Sequence, residues 1–151
     1  MILLDTNIVS EMMKPTGDGN VRRWMDSYSE LDFFIPTPVI AELRFGLALL
    51  PEGRKKDVLT KACDTIEDEI FAGRILAFDH RAAHAFARLR GRRKTQGKPL
   101  AVMDAMVASI AAAHAMTLAT RNVADFSDLD LAVVNPFAVE WETVIPGRPE
   151  A

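Results

Sequence analysis

Cysteine is almost absent from this sequence of 151 residues, which contains only Cys63. An intrachain disulfide therefore cannot form, and a fold held by noncovalent packing alone suits a reducing compartment such as the cytosol. The N-terminal segment MILLDTN has no basic region followed by a long apolar one, so we expect no signal peptide. The length predicts a single domain over residues 1–145, followed by a loose tail over 146–151.

The sequence also lacks an uninterrupted apolar run long enough to span a bilayer. Its longest apolar stretch extends from Leu100 to Ala119, is rich in alanine, and is interrupted by Asp104 and His114. A buried core helix explains this stretch better than a membrane span does. We therefore expect a cytoplasmic protein that has no membrane partner.

Ligands for zinc are scarce, because the chain has three histidines and one cysteine. His80 and His84 have the spacing of a zinc-binding helix, but Arg81 stands where the HExxH motif requires glutamate. We expect His84 to be a surface residue and Cys63 to be structural.

Positive charge is concentrated in one segment, although the net charge of the chain is −3. Residues 81–98, called the basic segment below, hold seven of the 18 basic residues and no acidic one. The overall charge hides this segregation. Phe86 is the only aromatic residue of the segment, so base stacking is not expected to be its main way of binding nucleic acid.

Short apolar runs alternate with longer helical patterns along the chain, and this alternation predicts an α/β fold. The expected architecture is a three-layer sandwich with a mostly parallel central sheet. Thr37 is the predicted N-cap of the third helix, with Pro38 at its first position. Strands are predicted at about residues 2–5, 32–36, 74–78, 117–120 and 131–134, and helices at about 6–13, 20–29, 37–50, 54–72, 80–97 and 100–115.

Four acidic residues lie in apolar surroundings, where a buried carboxylate needs a partner. Asp5 follows the first predicted strand, Glu42 and Asp104 lie within apolar helices, and Asp125 lies in the turn after the fourth strand. In an open α/β sheet, ligands bind beyond the carboxyl ends of the strands, where we expect Asp5 and the turn that begins at Thr120.

Two kinds of partner remain open for these four acids. The first is a basic side chain, for which Arg44, Arg74 and Arg121 are candidates. The second is a divalent cation, and a site made only of carboxylate oxygens favours a hard ion such as Mg²⁺ or Mn²⁺.

Four segments resemble the motifs of PIN-domain ribonucleases, and the likeness is closest to the toxins of VapBC-type toxin–antitoxin pairs. They are LLDTNIVSE (3–11), VIAELRFG (39–46), MDAMVASIAAAH (103–114) and LATRNVADF (118–126). Each motif alone is weak, but four in the family's order form a specific signal that covers nearly the whole chain.

The resemblance implies a metal site in which Asp5, Glu42, Asp104 and Asp125 are the acids. Asn7 would order the Asp5 carboxylate or a water, and Thr120 would donate a hydrogen bond within the site. Thr6 and Asn122 belong to the same motifs, and for all four polar residues capping and turn geometry is an alternative role. The resemblance also implies a flavodoxin-like arrangement, a homodimer and a small antitoxin partner.

The function implied is that of a Mg²⁺-dependent endoribonuclease, with Mn²⁺ as a possible substitute, that acts as a toxin. Because an acidic site repels RNA, the basic segment is expected to bind phosphates through Arg88, Arg92, Arg93 and Lys94. Two alternatives for this segment are a solvated helix face and a docking site for an acidic part of the antitoxin.

Other classes of protein fit the sequence less well. A haloacid-dehalogenase-type phosphatase needs a second acid two residues after its first, where this chain has Asn7. A receiver-like signalling domain needs an acidic pair and a lysine that we do not find. A catalytically inert PIN-like binding module and a housekeeping RNA or DNA nuclease of the same fold remain alternatives.

Overall fold

Helices flank one central sheet in the computed structural model, which describes residues 1–140 and 143–144. The strands are β1 (Ile2–Leu4), β2 (Phe33–Pro36), β3 (Ile75–Leu76), β4 (Thr117–Ala119), β5 (Val133–Val134) and β6 (Thr143–Val144). The helices are α1 (Thr6–Met12), α2 (Gly19–Asp26), α3 (Thr37–Ala48), α4 (Arg54–Thr65), α5 (His80–Thr95) and α6 (Val102–Ala113). The predicted tail over 146–151 lies outside the described residues, and the predicted domain boundary at residue 145 stays a prediction.

The sheet has the strand order β3-β2-β1-β4-β5-β6, and all neighbours from β3 to β5 are parallel. Only β6 is antiparallel, against β5 at the edge of the sheet. The predicted α/β sandwich with a mostly parallel sheet is therefore confirmed, and the five predicted strands are present. The sixth strand was not predicted.

The chain reverses its direction of winding at the centre of the sheet. It proceeds from β1 outward through β2 to β3, and then returns to form β4 on the other side of β1. This arrangement makes the space beyond the carboxyl ends of β1 and β4 the topological switch point, the usual place for a ligand in an open α/β sheet.

The alanine-rich stretch forms the central helix of the core, as predicted. Ala105, Ala108 and Ala111 of α6 are fully buried, and their small side chains let α5 pack closely along α6. None of the helices that the structure describes combines the length and apolar character needed to cross a membrane.

Three predicted boundaries differ from those observed. The fourth helix ends at Thr65 and continues as one π-helical turn over Ile66–Ile70, which buries Ile66 and Phe71 in the core. The second helix ends at Asp26 rather than at residue 29. Thr37 is already helical and Pro36 is the N-cap, so the Thr37 hydroxyl is free to accept the backbone N–H of Phe78 at 3.2 Å.

Candidate metal centre

Asp5 lies directly beyond β1 and belongs to both the sheet and the first helix. Its backbone N–H donates to the carbonyl of Ala119 at 3.1 Å, which extends the pairing of β1 with β4 by one residue. Its Oδ1 accepts the backbone N–H groups of Asn7 at 3.0 Å and Ile8 at 3.3 Å. Asp5 is therefore the N-cap of α1, a role that the sequence analysis gave to Thr6 or Asn7.

Thr120 lies beyond β4, beside Asp5, and its side chain is fully buried. The hydroxyl accepts the backbone N–H of Asn122 at 3.1 Å, and its interaction with the Asp5 carboxylate lowers the pKa of that group. Thr120 thereby fixes the Asp5 side chain and the start of the turn that carries Asp125. Asn122 is exposed, and its backbone contact is the turn geometry considered as an alternative above.

The surroundings of Asp5 raise the pKa of its carboxyl group. Burial raises the pKa of Asp5 most strongly, and repulsion from Asp104 raises it further. Hydrogen bonds from Thr120, Ile8 and Asn7 oppose this effect, but the net pKa of Asp5 stays above its ordinary value.

Asp104 occupies the first turn of α6 and is half-buried. Burial raises the pKa of Asp104, and repulsion from Asp125 and Glu42 adds to the shift. Together with the repulsion between Asp104 and Asp5, these interactions show that the structure brings all four motif acids into one electrostatic neighbourhood. The acids come from four different elements. Asp5 precedes α1, Glu42 lies on α3, Asp104 lies on α6 and Asp125 lies in the turn after β4.

Glu42 and Asp125 are the exposed members of this group. Glu42 on α3 accepts a hydrogen bond from the hydroxyl of Thr6, which links α3 to the first turn of α1. Asp125 lies on a short 3₁₀ turn over Val123–Phe126, whose conformation includes a hydrogen bond from the Asp125 N–H to the Asn122 carbonyl at 3.0 Å. The contact of Thr6 with Glu42 was not predicted, because nothing in the sequence pairs residues 36 positions apart.

The arginines proposed as structural partners are engaged elsewhere. Arg44 forms ion pairs with Asp64 at 2.7 Å and Glu67 at 2.8 Å. Arg74 donates to the carbonyl of Phe33 at 2.8 Å, and the guanidinium of Arg121 lies 3.8 Å from the ring centre of Phe137. Within residues 1–140, no ion pair involves any of the four motif acids.

The chemistry of this donor set fits a hard divalent cation. Carboxylates that repel one another and have no basic partner gain most from a positive ion between them. Among the residues that the structure describes, however, no three acidic, histidine or cysteine side chains already converge at metal-binding distance. A metal ion at this edge therefore requires side-chain rotations that bring the carboxylate oxygens together.

The basic segment divides into partnered and free cations. Arg92 forms an ion pair with Asp130, and Lys98 lies 3.8 Å from Asp128. Arg88 and Lys94 are exposed and form no ion pair within the described residues. Arg93 is buried, and the expectation that it binds RNA phosphates is not compatible with this position, because its guanidinium faces the protein interior.

A large groove lies away from these acids. It has a volume of about 610 Å³ between α1, α2 and the π-helical turn, and Glu11, Met25, Phe33, Ile70 and Arg74 are among its lining residues. None of the four motif acids lines it. The topology and charge of the carboxyl edge, rather than cavity size, therefore define the candidate centre.

A mostly parallel α/β domain with a group of unpaired carboxylates at its switch point belongs to the class of open α/β domains whose sites lie beyond the carboxyl ends of the strands. Residues 2–131 match the PIN domain family, and the chain belongs to that family.

Two known proteins and one solved structure show how far the similarity extends. Toxin FitB of Neisseria gonorrhoeae is 42% identical over 137 residues, which cover 91% of this chain and 99% of FitB. VapC ribonuclease Y4jK of Sinorhizobium fredii is 35% identical, over 94% of this chain and 99% of that protein. The structure of FitAB bound to an IR36 DNA fragment superposes with a TM-score of 0.85 at 42% identity, covering 93% of this chain and 98% of that one.

Proposed function

We propose that this protein is a Mg²⁺-dependent endoribonuclease, with Mn²⁺ as a substitute, and that it acts as the toxin of a toxin–antitoxin pair. The observation that carries this proposal is the position of Asp5 and Asp104, two carboxylates with raised pKa values and no basic partner in the described part of the chain. The similarity to a protein named VapC ribonuclease supports the same activity.

Each motif acid has a distinct part in this proposal. Asp5 and Asp104 bind the metal ion, with Glu42 and Asp125 completing the acidic edge. Thr120 and the N-terminal amides of α1 hold the Asp5 carboxylate in one orientation, so that it is prepared to bind. A Mg²⁺ ion held by Asp5 and Asp104 would supply a Lewis acid for activation of water and for neutralisation of charge on the scissile phosphate.

Glu42 acts through a second contact of α1. The hydroxyl of Thr6 donates to the Glu42 carboxylate and so keeps it next to the Asp5 end of the sheet. Asn7, which donates its backbone N–H to Asp5, is half-buried beside the same edge. These contacts already restrict the acidic side chains, so binding of the ion would cost less side-chain entropy.

RNA is attracted by the free cations of α5. Arg88 and Lys94 are exposed, and Arg90 is exposed beside the ring of Phe86. Lys94 follows Arg93, which contacts the Asp125 turn, so the exposed end of α5 adjoins the acidic edge. Lysine and arginine at these positions bind phosphate oxygens and do not read the base sequence.

The toxin role rests on the relatives. FitB is named a toxin, and FitAB is a complex that was solved on DNA. By analogy we propose a small antitoxin partner in the cytoplasm and a homodimer of this chain. The exposed apolar side chains of Phe45 on α3, Leu49 directly after α3 and Val58 on α4 are those at which two copies would meet.

A catalytically inert binding module is the second candidate. The observation in its favour is that no three of the described acidic side chains already converge on one point. In an inert module the acids would bind neither Mg²⁺ nor Mn²⁺, whereas a housekeeping nuclease would bind metal and act without an antitoxin.

The experiment is cleavage of a mixed RNA pool by the purified protein, free of antitoxin, with Mg²⁺, with Mn²⁺ and with EDTA. Asp5→Asn is compared with Asp68→Asn, a matched control at an exposed position on the π-helical turn. We expect cleavage that needs metal, is lost in Asp5→Asn and persists in Asp68→Asn.

Two results would contradict the proposal. Cleavage of single-stranded DNA but not RNA would replace the ribonuclease by a DNA nuclease. Wild-type protein that binds no Mn²⁺ in an isothermal titration would replace it by an inert module.

A further inference from the structure

Arg93 is the least exposed cation of the basic segment. It lies in the last turn of α5 and is 5% exposed. Its Nη2 donates to the carbonyl of Asp125 at 3.2 Å, and its Nη1 donates to the carbonyl of Ser127 at 3.4 Å. A buried guanidinium that binds two main-chain carbonyls fixes the path of the backbone more strongly than a surface ion pair does.

These contacts replace the usual partner of a buried cation. Within residues 1–140, Arg93 forms no ion pair with a carboxylate, and its buried Nε has no hydrogen-bond partner. Burying a charge without an ionic partner costs free energy, and the two hydrogen bonds to carbonyl groups offset only part of that cost. The local geometry at Arg93 is the turn that presents Asp125 to Asp104.

The segment after Asp125 needs such support. Asp128 and Asp130 have φ angles of 63° and 51°, in the left-handed region that residues with side chains adopt rarely. The same two residues form the ion pairs with Lys98 and Arg92 described above. The end of α5 and the residues just after it are thus attached to the segment 125–130 through Arg92, Arg93 and Lys98. Of these three, Arg93 is the one that is buried and contacts the Asp125 turn directly.

We infer that Arg93 is a positioning residue of the metal centre, which holds the Asp125 turn beside Asp104 and so sets the affinity for the divalent ion. This inference rests on the proposed function, because it assumes that Asp125 contributes to a metal site. It separates Arg93 from Arg88 and Lys94, whose proposed part is attraction of RNA. Partners of this kind, which orient metal ligands without touching the ion, commonly change metal affinity by about 10–100-fold.

The test measures Mn²⁺ binding by electron paramagnetic resonance of the free ion, together with hydrogen exchange of the amides of residues 123–130 in metal-free protein. Arg93→Met is compared with Arg81→Met, which removes another arginine-to-carbonyl hydrogen bond, from Arg81 to Ala113 at 2.7 Å, near the first turn of α5. We expect Arg93→Met to weaken Mn²⁺ binding about tenfold and to speed exchange of the turn by a similar factor. Arg81→Met should change neither.

Two further variants make the result decisive. Arg93→Lys keeps the charge but cannot donate to the carbonyls of Asp125 and Ser127 from two guanidinium nitrogens. Its Mn²⁺ affinity should therefore fall between those of wild type and Arg93→Met. If Arg93 acts through Asp125, then adding Arg93→Lys to Asp125→Asn should weaken binding no further.

Wild-type Mn²⁺ affinity in Arg93→Lys, together with wild-type exchange of residues 123–130, would overturn the inference. It would do so even if Arg93→Met folds poorly. Fully additive losses in Arg93→Lys and Asp125→Asn would also overturn it. If wild-type protein itself binds no Mn²⁺, the proposed function fails instead, and the two failures are therefore distinct.

Discussion

Two groups of acidic side chains in this molecule contain the same chemical group in opposite settings. Asp64 and Glu67, near the end of α4, share the guanidinium of Arg44 at 2.7 and 2.8 Å. Asp5 and Asp104 lie at the carboxyl edge of the sheet, repel one another, and share no cation in the described part of the chain. The first group is electrostatically complete, and the second is not.

The pKa directions express the same difference. The two carboxylates beside Arg44 raise the pKa of its guanidinium, because they stabilise the charged form. Burial and like charges raise the pKa of Asp5 and Asp104, because they destabilise the charged form. A fold that retains the second arrangement leaves a place for a positive ion, so absence of a partner identifies the candidate site better than acidity alone does.

The largest expected effect of this difference is on catalysis. Asp104→Asn removes a proposed metal ligand and should lower RNA cleavage below about one hundredth of the wild-type rate. Asp64→Asn removes another aspartate, whose carboxylate pairs with Arg44, and cleavage should stay within about twofold of wild type. Single-turnover cleavage of one RNA at saturating Mg²⁺ measures the rates of both variants. Comparable losses would mean that the lack of a basic partner does not distinguish the catalytic acids from the other acids.

The same distinction between partnered and free charges applies to RNA binding. Arg88→Gln combined with Lys94→Gln removes two free cations, so affinity should fall and the slope of log affinity against log salt should decrease by about 1.4–1.8 in magnitude. Arg92→Gln should change the slope less, because Arg92 is engaged by Asp130. Fluorescence anisotropy with Asp104→Asn protein, which binds without cleaving, measures all three slopes. Equal slopes in wild type and the double variant would assign Arg88 and Lys94 to another partner or to solvent.

Stability should respond in the opposite direction to activity. In metal-free buffer at pH 7, Asp104→Asn removes a charge that burial and like-charge repulsion both disfavour, so the melting temperature should rise by about 2–4 °C. Since burial and the neighbouring acids raise the pKa of Asp104 in the folded state, ionisation of Asp104 destabilises the protein as pH rises from the unfolded value of about 4 through the folded pKa. The gain in Asp104→Asn should therefore vanish below about pH 4.

Calorimetry at several pH values with EDTA, repeated with Mg²⁺, checks this sign. With Mg²⁺ the wild type should gain stability that Asp104→Asn does not. If metal-free Asp104→Asn melts at or below the temperature of wild type at pH 7, the Asp104 carboxylate has a stabilising partner, and the argument from repulsion is wrong.

The sequence predicted the sheet well because central parallel strands are continuous apolar runs that end at turn residues. It missed β6, which is two residues long and pairs at the edge of the sheet, where no alternation of side chains is required. The end of α4 was also missed, because a sequence pattern does not distinguish a single π-helical turn, here Ile66–Ile70, from a continuing α-helix.

The candidate site was predictable in its acids but not in its supporting contacts. Asp5 and Asp104 stood out as carboxylates in apolar sequence, which is a local signal. Arg93 was assigned to RNA because its sequence neighbours are basic, and its burial depends on the packing of α5 against a turn more than 30 residues later. Long-range contacts of this kind leave no trace in a single sequence.

The smallest expected effect concerns the partnered group itself. Arg44→Met leaves Asp64 and Glu67 without their cation, and the melting temperature should fall by only about 1–3 °C, because the Asp64 side chain is 52% exposed and water screens the loss. High salt should reduce the difference from wild type, since the screening length falls from about 10 Å at 0.1 M salt to about 3 Å at 1 M, which is close to the length of these ion pairs. Thermal unfolding of both proteins at about 0.05 M salt, where screening is weak, and at about 1 M salt, where it is strong, checks this expectation. A large loss that is insensitive to salt would mean that Arg44 stabilises the junction of α3 and α4 through packing of its aliphatic stem, and the two acidic groups would then differ in more than their charge partners.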